Sequence, residues 1–267
     1  MKKILFAILT VSIAFLASCN KKNEPETVGT VNDICGNTYE YVKIGEQYWM
    51  AENMRCNKYD SKSERNGVTL STSEDAVYTP YYTDTSNKSL WNSKTYSSNL
   101  TDKQISQLGY LYNWAAAVGV ENGLEQTSSF SGNRQGICPN GWHLPTDVEW
   151  DVLAKAVGGV KNEYGHFNNA GSKLKTTSGW YDNGNGTDEY SFSALPSGIA
   201  TGSTIGIGDY GYTGGSWMCV VGGDASFWTA TGYSDYAENR NLNCYYPGLL
   251  CDTYNKKYAS SVRCVKD

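Results

Sequence analysis

Alternating apolar and polar positions predict short strands along most of the chain. Residues 39–44 and 47–50 alternate on either side of Gly45-Glu46, and glycine at the first turn position permits the positive φ of a tight hairpin. Four later segments have strand-like runs: residues 109–112, 192–195, 227–231 and 262–265. Gly-rich and polar loops separate them, so the pattern predicts a β-rich fold.

Two segments have the spacing of an amphipathic helix. The first begins at Asn113, and its apolar face at i, i+3, i+4 and i+7 consists of Leu111, Trp114, Ala115 and Val118. The second begins after Thr146, where Glu149 completes a capping box, and ends at Gly158-Gly159. Its apolar face consists of Trp150, Leu153, Ala154 and Val157. Residues 57–107 are instead rich in Ser, Thr, Asn and Tyr, which predicts a polar insertion with little core of its own.

The N-terminal segment predicts export and attachment to lipid. An uncharged apolar run over residues 4–16 follows Lys2-Lys3, and it is too short for a comfortable bilayer span of about 20 residues. Residues 16–19 (LASC) resemble the lipobox of bacterial lipoproteins, in which the cysteine is acylated. We therefore predict a signal peptide over residues 1–18, a lipid on Cys19 and a flexible tether over residues 19–32. The alternatives are an ordinary signal peptide with an incidental cysteine, or an uncleaved anchor.

Composition and charge narrow the class of protein. The chain has 22 Lys and Arg against 27 Asp and Glu, a net charge of -5, and removal of Lys2 and Lys3 with the signal leaves about -7. Such a chain lacks the basic face that phosphate contacts need, which argues against nucleic acid as a partner. The 8 Trp, 21 Tyr and 28 Gly suit strands, tight turns and aromatic contact surfaces.

The cysteines predict disulfides. Eight are present, and seven remain once Cys19 is lipidated. An oxidising compartment favours disulfides, and an odd number leaves at least one thiol without a partner in the same molecule. There is no CxxC motif and there are only 2 histidines, which argues against a zinc site with the usual ligand spacing.

Six motifs in order identify a family resemblance. Residues 138–150 (CPNGWHLPTDVEW) resemble the central motif of the Fibrobacter succinogenes major paralogous domain family. The other matching segments lie within residues 37–53, 109–117, 186–196, 225–229 and 261–265. The resemblance covers residues 33–267, apart from the insertion at about 57–107. Cys35 stands where the family usually has Asp.

The resemblance implies a fold and a disulfide. The fold is α+β and similar to C-type lectin-like domains, with two short helices on twisted antiparallel strands and long loops. The implied disulfide joins Cys138 to Cys264, and closing so long a loop stabilises by roughly 4–5 kcal/mol in the chain-entropy model. Two further pairs are predicted: Cys244 with Cys251, which are close in sequence, and Cys35 with Cys56, at the two ends of the hairpin region, which leaves Cys219 unpaired.

Polar residues in two regions are candidates for a catalytic or metal site. His143 has no nucleophile or orienting acid beside it in sequence, so we interpret it as a structural residue at the helix entry and His166 as a surface residue. Residues 182–189 (DNGNGTDE) resemble an oxygen-ligand calcium loop, with Asp182, Gly184, Gly186, Asp188 and Glu189 as the candidate positions. The EF-hand spacing is absent, and a Gly/Asn turn is the favoured interpretation.

One segment resembles an enzyme motif. Residues 214–219 (GGSWMC) are similar to a segment of formylglycine-generating enzymes, which also have a lectin-like fold. Those enzymes bind copper through two nearby cysteines. In this chain Cys219 stands at the position of the first, but Asp224 stands where the second is expected. We therefore predict no catalytic residue and no required cofactor.

Aromatic residues in the C-terminal half predict a contact surface, because their rings combine an apolar face with a polar group. The candidates are Trp180, Tyr181, Tyr210, Tyr212, Tyr233, Tyr236, Tyr245 and Tyr246. The leading prediction is a lipid-anchored binding or adhesion protein of the cell envelope, in the outer membrane and facing the surface, with a glycan or a protein as ligand. The alternatives are a structural subunit of an envelope or pilus assembly and an oxidase.

Overall fold

A computed structural model of the protein describes residues 27–63, 65–66, 68–70, 77–78, 107–120, 130, 132–199 and 222–267, and these residues form short strands and three complete short helices. The strands of the described residues, in chain order β1 to β13, are Thr27–Asn32, Thr38–Ile44, Gln47–Met50, Val77–Tyr78, Leu111–Asn113, Trp142–His143, Val160–Lys161, Phe167–Asn168, Asp224–Tyr233, Tyr236–Asn243, Leu250–Asn255, Ala259–Ser261 and Val265–Lys266. The helices α1 to α3 are Trp114–Val118, Asp147–Ala156 and Ala170–Leu174.

Two sheets dominate the fold. The first has the order β1-β2-β3-β13-β6, and the second has the order β11-β10-β9-β12-β5-β4. Nearly all strand pairs are antiparallel, and β12 pairs in parallel with β9 through Ser261 and Phe227. The class is therefore α+β, as predicted. Within the described part of the chain, no helix is long and apolar enough to cross a bilayer.

The predicted hairpin and the two predicted helices are confirmed. Strands β2 and β3 pair around Gly45, which has a φ of 59°. Asn113 caps α1 by accepting a hydrogen bond from the backbone N–H of Ala116. Thr146 and Glu149 form the predicted reciprocal capping box at the start of α2.

The prediction that residues 19–32 form a flexible tether is wrong for residues 27–32. Thr27–Asn32 form β1 and pair with β2 from Thr27–Val42 to Asn32–Thr38, with a bulge near Gly29. This segment has few apolar residues, and its backbone is ordered by the neighbouring strand. Residues 1–26, which hold the signal and Cys19, lie outside the described residues.

Three predicted strands need correction. Residues 192–195 form no strand, and Ala194 makes only an isolated bridge with Lys175. Residues 262–264 fall between β12 and β13, and the carbonyls of Val262 and Cys264 accept hydrogen bonds from the N–H groups of residues 54 and 50. Val265 alone belongs to a strand, as the first residue of β13. The strand predicted over residues 109–112 begins later, as β5.

The start of the predicted insertion joins the core. Tyr59 is fully buried, and its hydroxyl donates to the carbonyl of Ala116 at 2.8 Å. Leu70 is also buried, and its N–H donates to the carbonyl of Asn57. Most of residues 71–106 lies outside the described residues.

Two apolar clusters form the interior. One surrounds Trp114, Trp228 and the Cys138–Cys264 disulfide. The other surrounds Trp49 of β3 and Trp150 of α2, whose rings are in contact where the apolar face of the helix packs on the first sheet. The disulfide thus fastens the segment before α2 to the last strands.

Candidate functional site

A turn after β10 presents two tyrosines to solvent. The Asn243 side-chain oxygen accepts hydrogen bonds from the backbone N–H groups of Tyr245 at 3.0 Å and Tyr246 at 2.8 Å. Asparagine commonly closes turns in this way, because its side chain imitates a backbone carbonyl. The turn is therefore fixed by the residue that ends the strand.

Both tyrosine hydroxyls are tied to residues from other loops. The Tyr245 hydroxyl donates to Asp182 Oδ2 at 2.8 Å, and the Tyr246 hydroxyl donates to Asn168 Oδ1 at 2.6 Å. Tyr245 remains 53% exposed. Desolvation and the hydrogen bond to Asp182 raise the pKa of Tyr245 to about 12, so the hydroxyl keeps its proton. The two rings are thus held in defined positions while one of them faces solvent.

The loop that supplies Asp182 is a tight turn. Asp182 and Asn183 have positive φ values of 49° and 59°. The N–H of Gly184 donates to the carbonyl of Tyr181 at 2.7 Å. A Cβ at Gly184 would lie 2.3 Å from the carbonyl oxygen of Cys244, so glycine is required for this close approach. The turn is pinned directly against the start of the Tyr245 segment.

The carboxylates of the predicted calcium loop have separate partners. Asp182 accepts from Tyr245, whereas Asp188 accepts from the N–H and hydroxyl of Ser193 at 2.8 Å each. Glu189 accepts from Thr187 at 3.2 Å. The three carboxylates therefore each accept hydrogen bonds from a different part of the protein, and one of these donors, Thr187, lies within the loop itself.

Tyr181 lies beside Gly222, one of the residues that flank the segment 200–221. Its N–H donates to the carbonyl of Gly222 at 2.8 Å, and its ring lies against the Cα of that glycine. The N–H of Gly198 donates to the carbonyl of Asp224 at 2.7 Å, so the two ends of the segment 200–221 meet here. That segment contains Tyr210, Tyr212 and residues 214–219, which lie outside the described residues. We name the surface formed by Asp182, Asn168, Tyr245 and Tyr246 the tyrosine face. Tyr181 adjoins it in sequence through Asp182, but it is half-buried and its hydroxyl is shielded from solvent.

The other predicted contact residues do not join the tyrosine face. Trp180 is buried, and its ring N–H donates to Thr176 at 3.1 Å, so its assignment to a contact surface is wrong. Tyr233 and Tyr236 are exposed and lie opposite each other where β9 turns into β10. They are at the far end of β10 from Asn243, about 24 Å away for a strand of this length.

The two histidines have structural contacts. His143 is buried, and its Nε2 and Nδ1 lie 2.8 Å from Glu149 and 2.7 Å from Asp267. Burial lowers the pKa of His143, but hydrogen bonds and charge interaction with the two carboxylates outweigh it and raise the pKa overall. His166 is half-buried, and its Nδ1 accepts the N–H of Cys251. His143 lies at the helix entry as predicted, but two carboxylates that its neighbours in sequence did not indicate hold its ring.

Two of the three predicted disulfides are present. Cys138–Cys264 and Cys35–Cys56 are bonded, whereas Cys244 and Cys251 are free thiols, so the pair predicted between them is wrong. Cys244 lies buried against Gly184. Cys251 lies on β11, opposite Arg240 of β10 in the strand register. Burial raises the pKa of both thiols, that of Cys251 to about 11.

Metal-ligand side chains cluster at one place in the described residues. Asp33, Cys35 and Cys56 bring their ligand atoms within 4.8 Å of one another. Both sulfurs belong to the disulfide, so they are not available as thiolates. Asp33 instead accepts a hydrogen bond from Tyr39 at 2.6 Å.

Sequence reasoning missed the polar partners of the tyrosine face. Asn243, two residues before Tyr245, is a recognisable turn signal of the Asx type. The contacts of Asp182 and Asn168 join residues 63 and 78 positions apart, for which the sequence has no local signal.

Comparison with known proteins gives one match. The sequence model of the Fibrobacter succinogenes major domain matches residues 42–266, which includes the second sheet, the first sheet apart from β1 and the start of β2, and the tyrosine face. No curated protein and no solved structure matches the chain.

Proposed function

Because the chain belongs to the Fibrobacter succinogenes major domain family, we propose that it is a lipid-anchored, non-catalytic binding protein of the bacterial cell surface with a C-type lectin-like fold. Lipid on Cys19 holds it in the outer membrane, and the tyrosine face binds a glycan. The two disulfides support this location, since disulfides persist in oxidising compartments outside the cytoplasm.

The observation that carries the proposal is the fixed position of Tyr245 and Tyr246. Binding usually costs about 0.5–1.5 kcal/mol for each side chain that it immobilises. Here Asp182 and Asn168 already hold the hydroxyls. An exposed ring can stack on the C–H face of a sugar, and the neighbouring carboxylate and amide can accept sugar hydroxyls. This combination favours a glycan over a protein.

A glycan array with the purified chain tests the ligand class. We expect binding that is lost in Tyr245→Ala/Tyr246→Ala. Tyr164→Ala is the matched control, because Tyr164 is 75% exposed and lies in the turn between β7 and β8, outside the tyrosine face. Equal binding of the double variant, or no binding to any glycan, would contradict the proposal, and capture of a protein ligand by the same face would reassign it.

Cell fractionation tests the anchor separately. The wild-type protein should sediment with membranes, and Cys19→Ala should be soluble. A Cys19→Ala form that stays in the membrane pellet would refute lipid attachment without affecting the glycan assay.

A further inference from the structure

The point where the tether enters determines which part of the fold lies near the lipid. Strand β1 begins at Thr27, which pairs with Val42 close to the turn between β2 and β3. Eight residue steps separate Cys19 from Thr27, a reach of at most about 29 Å. A compact fold of this size is roughly 45 Å across. The lipid is therefore held on the side of the fold where β1 begins, and the opposite side lies beyond its reach.

Helix α2 crosses this end of the sheet. Near the start of the helix, the Glu149 side chain contacts His143 on β6. The backbone carbonyl of Glu149 accepts a hydrogen bond from the side chain of Gln47 at 3.2 Å. At its last residue, the Cβ of Ala156 lies 3.0 Å from the position that a Cβ on Gly45 would occupy. The helix thus extends from one edge of the sheet to the turn beside the start of β1.

The exposed residues of α2 are two valines, a lysine and an alanine. Val148 is 64% exposed and Val152 is 41% exposed, and both lie one helical turn apart on the same side. Lys155 and Ala156 continue this exposed side toward the C-terminal end. We name these four residues the valine face. Val160, also exposed, follows on β7, which the Lys161–Asp151 ion pair joins to the helix.

The acidic residues of α2 have partners inside the protein. Asp147 accepts from Thr231 at 2.6 Å, and Glu149 binds His143. Asp151 pairs with Lys161 at 2.8 Å and with Arg240 at 3.4 Å. Although acidic residues outnumber basic ones in the chain, the valine face carries none and includes one lysine.

We propose that the valine face lies on the surface of the bilayer that holds the lipid anchor. The inference rests on lipidation of Cys19 in the proposed function. Exposed valines beside a lysine suit the boundary between acyl chains and anionic headgroups. The contact needs little intrinsic affinity, because a short tether keeps the face at a high effective concentration near the lipid.

Methyl NMR of the full lipidated chain tests this contact. The chain is labelled at Val and Ile methyls and placed in nanodiscs of phosphatidylcholine and phosphatidylglycerol that contain nitroxide-headgroup lipid. We expect strong broadening of Val148, Val152 and Val160, which disappears when the nitroxide is reduced. Ile34 is the exposed reference and should stay sharp, because it lies in the turn beyond Asn32, and β1 alone places Asn32 about 17 Å from Thr27.

Two variants and the remaining outcomes complete the test. Val148→Glu/Val152→Glu should abolish the broadening of Val160 while the chain stays on the nanodisc, and the control Ile34→Glu should leave it unchanged. If the chain stays on the nanodisc but the nitroxide broadens the valine signals no more than the Ile34 signal, the inference is overturned and lipid attachment is unaffected. A chain that does not associate with the nanodisc at all would overturn both.

Discussion

Cys138 and Cys264 form a disulfide whose sequence separation is 126 residues, so one covalent bond joins the entrance of α2 to the end of the chain. Both residues are fully buried in the cluster around Trp114 and Trp228. The carbonyl of Cys264 also accepts the N–H of Met50 from β3. The bond therefore holds the first sheet and the segment before α2 together, and the loops between them extend from that frame.

Removal of this disulfide should cost more stability than removal of the other one. In the chain-entropy model, a separation of 126 residues corresponds to about 5 kcal/mol and the separation of 21 residues in Cys35–Cys56 to about 3 kcal/mol. Urea unfolding of Cys138→Ala/Cys264→Ala and Cys35→Ala/Cys56→Ala measures both. The free thiol variant Cys251→Ala is the control and should change stability by no more than about 1 kcal/mol. A reversed order of the two double variants would argue against the model.

Arg263 should be the most sensitive charged residue of the core. It is fully buried between Phe192 and Phe227, and its guanidinium donates to Asn53 Oδ1 at 2.6 Å and 3.1 Å and to the carbonyl of Phe192. Arg263→Met leaves two buried acceptors without that donor, each costing about 1–3 kcal/mol. We expect a loss of roughly 2–6 kcal/mol in urea unfolding.

The exposed pair Lys43–Glu46 gives the control for this prediction. Lys43→Met should change stability by less than about 0.5 kcal/mol, because exposed ion pairs at 3.5 Å contribute little. A loss at Arg263 as small as the loss at Lys43 would mean that the guanidinium is not needed for the core.

The sequence predicted elements whose signals are local. The β2–β3 hairpin needed only alternation around Gly45, and α2 needed only the spacing from Thr146 to Glu149. Strand β1 was missed because its order comes from pairing with β2 rather than from its own residues. The C-terminal strand was misplaced for a related reason: the carbonyl of Val262 bonds to a residue more than two hundred positions away.

The candidate site was predicted only in part, and for the same physical reason. Tyr245 and Tyr246 were identified by type, and their exposure follows from a turn that Asn243 closes. Trp180 is of the same type, but Thr176 and a neighbouring lysine enclose it. Residue type gives a capacity for contact, whereas three-dimensional packing decides which aromatic residues reach the surface.

Asp182 should contribute to glycan binding through Tyr245. In Asp182→Ala the ring remains but its hydroxyl loses the acceptor at 2.8 Å. Binding must then immobilise the side chain, at a cost of about 0.5–1.5 kcal/mol, so affinity should fall roughly twofold to tenfold. Isothermal titration with the glycan identified on the array measures the change. Asp235→Ala, in the turn between β9 and β10, is the acidic control at the far end of β10. Unchanged affinity in Asp182→Ala would show that the Asp182 carboxylate does not contribute to glycan binding.

The His143 contacts predict how stability depends on pH. The pKa of His143 is raised from 6.5 in the folded state, so its contribution is complete below about pH 6.5 and is lost as pH rises through the folded-state pKa. The pKa of Glu149 is lowered from 4.5 by its hydrogen bonds with His143 and Thr146, which outweigh burial. Its contribution is therefore present above about pH 4.5 and is lost as pH falls through the folded-state pKa.

The two contributions together are greatest between about pH 4.5 and 6.5. Urea unfolding from pH 4.5 to 9 should therefore show the largest difference between the wild type and His143→Gln in that window, with a decline at higher pH. Asp267→Asn removes one of the two carboxylates that hold the imidazolium, so the decline should begin at lower pH. A difference between wild type and His143→Gln that grows with pH would show that the imidazole is held in its neutral form, because only then would deprotonation favour the folded state.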